Sequence, residues 1–243
     1  MAALKAELRK LFMIRSTYVL SATAVIIIGI GAGYANGFKL TTAQLHSPLQ
    51  LQGSVVDIIN LVSIFPALIG ILLMTHEYRY NTILYSLTSN RSRTKFLAAK
   101  FIALSIFAIV FILAAALIAA LFSNIGAHIA GHSLVTQSFA YSDTVWRIIF
   151  GGWGYAVISL LIATLVRNQI AAVVSLFIIP STVEGLLSLL LRDNTIYLPF
   201  NALNAVLTKS PHISYGHAAL TVTVYLFFGW LIAWILFLRR DAN

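Results

Sequence analysis

The chain contains no cysteine. Disulfides, thiolate metal sites and a cysteine nucleophile are therefore excluded. Charge is scarce too: 9% of the 243 residues are Asp, Glu, Lys or Arg, where a soluble domain carries about 25%. Acid is the scarcer sign, with seven Asp and Glu against sixteen Lys and Arg. No G-x-x-x-x-G-K-[ST] occurs, so the chain has no P-loop with which to cradle nucleotide phosphates. H-E-x-x-H, G-x-S-x-G and paired intramembrane aspartates are missing as well, and nothing points to catalysis by this chain alone.

What the chain has in abundance is apolar surface. Hydrophobic residues make up 60% and the mean hydropathy is +0.91. Six runs reach or approach the ~20 residues needed to cross the hydrocarbon: about 18–34, 54–74, 96–122, 146–166, 169–191 and 218–238. The predicted fold is an all-α polytopic membrane protein, a single transmembrane domain over residues 1–243. Only Arg167, Asn168 and Gln169 part the fourth and fifth runs, which implies a tight antiparallel hairpin. Before the first run, Leu4, Leu8, Leu11 and Phe12 share one helical face while Lys5, Glu7, Arg9 and Lys10 take the rest. Residues 1–16 therefore read as an amphipathic helix along the membrane surface.

The net charge of +9 is distributed unevenly. With six spans, twelve of the sixteen Lys and Arg fall on one side, which holds both termini. The positive-inside rule makes that side cytoplasmic. The cations cluster at the ends of apolar runs, so membrane topology and anionic headgroups explain them, and nucleic acid does not. The expected location is the inner or plasma membrane.

The connection between the second and third runs, Thr75 to Lys100, concentrates charge: Glu77, Arg79, Arg91, Arg93, Lys95 and Lys100. Tyr80, Ile83, Leu84 and Leu87 share a face that a short amphipathic helix uses. Glu77 is either a surface carboxylate paired with Arg79 or Lys10, or an ion pair joining the surface helix to the second span. The order Glu77-Tyr78-Arg79, Thr82, Arg91-Ser92-Arg93 and Lys100 resembles the segment after the second span of type 2 ABC transporter permeases. The layout over the full chain is similar also: a surface helix, six spans, both ends inside, and a longer outer segment (here 186–217) before the last span.

That resemblance implies a permease subunit of an ABC exporter whose loop, at 75–95, docks on a separate ATPase through Glu77, Arg79, Tyr80, Thr82, Ile83, Leu84, Leu87, Arg91 and Arg93. ATP and Mg would be bound by that partner, present in two copies, and a second permease copy or a related permease would complete the pathway. No cofactor is expected in this chain. Ile64, Phe65, Pro66, Leu68, Pro180 and Glu184 are the expected pathway and gating residues. Pro66 and Pro180 each free a carbonyl and bend a span. Glu184 is either an acid buried in the outer leaflet or a group already in outer water. An apolar lining suits a lipophilic or amphipathic cargo.

The competing readings are an ATP-independent channel or secondary carrier, and an immunity or scaffold membrane protein. A carrier predicts more intramembrane charge than Glu184 supplies. Ser54-x-x-Asp57 reads as a capping box. Gly29 with Gly33, and the trio Gly151, Gly152 and Gly154, are expected to allow close helix packing. His128 and His132 share a helical spacing, but only Asp143 is a nearby acid, and they read as loop histidines.

Overall fold

The computed structural model describes residues 2–39, 56–80, 82–83, 85, 92–131, 141–208 and 213–239. In chain order these form α1 (Ala2–Met13), α2 (Arg15–Tyr34), α3 (Val56–Arg79), α4 (Arg93–Ile129), α5 (Tyr141–Val166), α6 (Gln169–Ile178), α7 (Glu184–Leu191), α8 (Pro199–Thr208) and α9 (Tyr215–Arg239). Among the described residues there is no strand. Six helical segments are long and apolar enough to span a bilayer, the fifth being the composite Gln169–Leu191.

Local chemistry sets the helix ends. Ile14 is extended (φ −80°, ψ 122°) and separates the surface helix from the first span. Ser92 caps α4, its side chain accepting from the Lys95 N–H at 3.4 Å. Asn168 caps α6, accepting from the Ala171 N–H at 3.1 Å. Arg167 takes φ 58°, the left-handed geometry that lets α5 reverse into α6 within two residues. With 37 residues, α4 is about 55 Å long at 1.5 Å per residue, well beyond the hydrocarbon thickness.

The second span runs through Arg79 and the third begins at Arg93. Glu77 and Arg79 are therefore helical residues at the end of a span, where the hydropathy pattern placed them in the following connection. Leu84, Leu87, Arg91, Ser54 and His132 lie outside the described residues.

Close approaches hold the bundle together. In α4, a Cβ added to Gly126 would lie 2.1 Å from the Gly33 carbonyl oxygen of α2. Only glycine admits that contact, which the spacing at Gly29 and Gly33 anticipated from one side only. Gly70 of α3 sits against Ser159 and Ala156 of α5 in the same manner. The glycines of α5 face partners as well: Gly151 and Gly154 meet Leu207 and Leu203 of α8, and Gly152 meets Ile112 of α4.

The two prolines differ in effect. Pro66 is buried in α3, and the break comes just before it, at Ser63, whose N–H bonds both Ile59 and Asn60 carbonyls. Pro180 lies inside a π-helical turn, Ile179–Val183. The wider turn accommodates the missing donor and the ring.

Candidate functional site

The ends of α3, α4 and α9, together with all of α1, meet at the basic end of the bundle. Four charged side chains converge there. Lys100 of α4, with no exposed surface, donates to Glu7 Oε2 at 2.9 Å, to Glu77 Oε1 at 2.7 Å and to the Leu73 carbonyl at 2.8 Å. Lys10 donates to Glu7 Oε1 at 2.8 Å and to Glu77 Oε1 at 2.7 Å. Two acids and two bases give a neutral, interlocked cluster. Each carboxylate bridges two ammonium groups, which offsets the desolvation of buried charge. Glu77 Oε2 is buried, and no described donor reaches it.

Lys100, Glu7 and Glu77 are all buried. Leu11, Met74, Ile83, Phe96, Leu97 and Phe237 belong to one buried hydrophobic cluster. Lys100 Nζ stands 4.8 Å from the centre of the Phe96 ring, and that ring stacks on Phe237 of α9 at 5.7 Å. Burial depresses the Lys10 ammonium, but the hydrogen bonds and charges of Glu7 and Glu77 outweigh it, and its pKa rises above the ordinary lysine value.

Glu77 therefore joins the surface helix to the second span, the more specific of its two sequence readings. In the sequence, Lys100 counts among the cations of the basic side and ends the segment that carries the family resemblance, while Glu7 belongs to the polar face of the first helix. Their separations from Glu77, 23 and 70 residues along the chain, left no local pattern to follow. The usable signal was a lysine enclosed by apolar neighbours, as in Ala98-Ala99-Lys100-Phe101-Ile102.

The other proposed docking residues are spread around this cluster. Arg79 is exposed and donates to Gln169 Oε1 at 3.2 Å. Tyr80 and Tyr85 are exposed. The Thr82 N–H bonds the Glu77 carbonyl at 3.0 Å. Ile83 is buried in the main hydrophobic cluster. Arg93 donates to the Phe237 and Leu238 carbonyls at 3.4 and 3.2 Å, closing the end of α9.

At the opposite end, Glu184 is buried but not idle. It accepts from the Phe200 N–H at 2.7 Å and the Asn201 N–H at 3.0 Å. A carboxylate on the fifth span thus caps the first turn of α8, where a negative charge is favoured. A cavity of about 370 Å³ adjoins it, lined by Pro180, Glu184, Ser188, Asn201, Asn204 and Thr208 among others. Phe65 is buried with Ala24 and Ile28 of α2 and Ala115 and Ala119 of α4, and Ile64 and Leu68 are partly buried. Trp153 packs inside the bundle, donating to Ser105 at 2.9 Å, while Trp146 is exposed.

Six apolar spans, with the N-terminal helix pinned to two of them by buried charge, define a polytopic membrane protein. The chain belongs to the ABC-2 family: a family model described as ABC-2 family transporter protein matches residues 3–182. It is the membrane permease subunit of an ABC transporter. No curated protein matches the chain.

Proposed function

We propose that this permease exports an amphipathic molecule, driven by a separate ATPase that grips its basic end from the cytoplasm. The observation that carries the reading is the four-charge cluster of Glu7, Lys10, Glu77 and Lys100. A push on α1 or on the segment after Arg79 cannot move either alone. Through the cluster it reaches α3 and α4, and α3 packs along α5. A rigid-body tilt of spans is the expected response, since packed interfaces switch between discrete arrangements.

ATP and its Mg belong to the ATPase on this reading, and two permease halves enclose the route. The charge asymmetry of the chain supports a cytoplasmic basic end. Only 17% of the residues in the most apolar stretch of the fifth span are buried, which leaves an apolar surface for a second half or for cargo. The polar cavity beside Glu184 favours a cargo with a polar part over a wholly lipophilic one.

The test uses Tyr80 and Tyr85, exposed at 63% and 79%. Y80A/Y85A is expected to leave thermal stability unchanged while abolishing co-purification with the ATPase and stimulation of ATP hydrolysis. Retained association and stimulation would overturn the docking assignment.

A further inference from the structure

Beyond the transport reading, a second basic feature lies at the same end of the bundle, on the far side of α3 from the ion cluster. A cavity of about 470 Å³ opens between the end of α3 and the α5–α6 turn. Thr75, Tyr78, Arg79, Arg167, Gln169 and Ile170 line it, and among the described residues no acid does. Arg79 is set by Gln169 at 3.2 Å. Arg167 lies against the Tyr78 ring, 5.3 Å from its centre. Two guanidinium groups thus share one concave site, beside the positive end of the α6 dipole. Guanidinium forks match phosphate oxygens.

Depth in the bilayer narrows the ligand. Arg79 ends one span, and Arg167 stands between the spans that end at Val166 and start at Gln169. The cavity therefore sits where headgroups lie. From its edge an apolar stripe descends along α6: Ile170, Val174, Phe177 and Ile178 share one face and are exposed at 76%, 44%, 49% and 46%. A soluble anion would use the arginines and leave that stripe bare. An acidic side chain of a soluble partner could not follow it into the hydrocarbon. A phospholipid fits both parts.

We propose that the Arg79–Arg167 cavity holds the phosphate headgroup of an anionic phospholipid, with an acyl chain lying along the Ile170–Ile178 stripe. Basic pockets between spans at the headgroup level recognise such lipids. The bound lipid would brace the α5–α6 turn against the end of α3.

The test is native mass spectrometry of the purified full chain in detergent, titrated with phosphatidylglycerol and with phosphatidylcholine. Phosphatidylglycerol is expected to bind preferentially. R167Q and R79Q are each expected to weaken it about fivefold, and V174S/F177S to weaken it as well. R192Q, at the opposite end of the fifth span, is the control and is expected to change nothing. R79Q alters an exposed side chain, so its melting temperature is expected to match the parent and separates loss of binding from loss of fold. Equal binding of the two lipids would overturn the proposal. So would indifference to both arginine substitutions, or an equal loss with R192Q. Complete displacement of the lipid by millimolar inorganic phosphate would assign the cavity to a free anion instead and overturn it too.

Discussion

Removal of the Lys100 charge is the sharpest probe of the ion cluster. Lys100→Met keeps the length and apolar stem of the side chain but deletes three hydrogen bonds, to Glu7, Glu77 and the Leu73 carbonyl. Two carboxylates then face a single ammonium, Lys10, which is 40% exposed. Removing one partner from a buried ion network costs about 3–5 kcal/mol, chiefly because the remaining charge is stranded. At about 2–4 °C per kcal/mol for a chain of this size, the melting temperature in detergent should fall by roughly 6–20 °C. Neutralising Glu7 as well should reverse much of the loss. In K100M/E7Q the Lys10–Glu77 pair, 2.7 Å apart, survives as a neutral unit. The double variant should therefore be more stable than the sum of the single effects, with a coupling of about 0.5–3 kcal/mol. Thermal unfolding followed by helical circular dichroism measures all three. A K100M protein that melts with the parent, or strictly additive effects, would refute the idea of an interlocked cluster.

Other perturbations report on separate parts of the structure. The raised Lys10 pKa means that its ion pairs contribute fully below the unfolded-state value of about 10.4 and are lost as pH climbs through the higher folded-state value. The melting temperature should thus show a Lys10-dependent decline only in strong alkali, and K10M should lack that component across a pH series. Gly126→Ala drives a methyl group into the Gly33 carbonyl and should cost at least about 1–3 kcal/mol. Gly185→Ala, with nothing within 4 Å, should leave the melting temperature unchanged or slightly raised. Glu184→Ala strands two N–H groups of α8, each worth about 1–3 kcal/mol when left unpaired. Glu184→Gln keeps one acceptor and should lose less, as differential scanning of the two proteins would show.

Hydropathy alone determined the architecture: six spans, the preceding amphipathic helix and the short α5–α6 hairpin. Those features follow from runs and periods that are local in sequence, because a bilayer selects apolar length segment by segment. The fifth span was legible to its last residue, since Asn168 and Gln169 mark one end and Arg192 the other. The limits of the second span were not, because Glu77 and Arg79 look like loop residues until their partners are known.

Partnership is what only the tertiary structure decided. Glu77 meets Lys100 and Lys10 across gaps of 23 and 67 residues, and Glu184 meets the start of α8 across 16. A charge in an apolar surrounding must find a counter-charge or a donor, but its sequence does not say which one. Helix packing supplies the answer. The glycine contact between Gly126 and Gly33 brings α2 and α4 together, and the short Ile14 hinge lays α1 across the ends of α3 and α4. Once that packing exists, Lys100 has two carboxylates within reach, and a cation that reads as a topology signal becomes the centre of the joint.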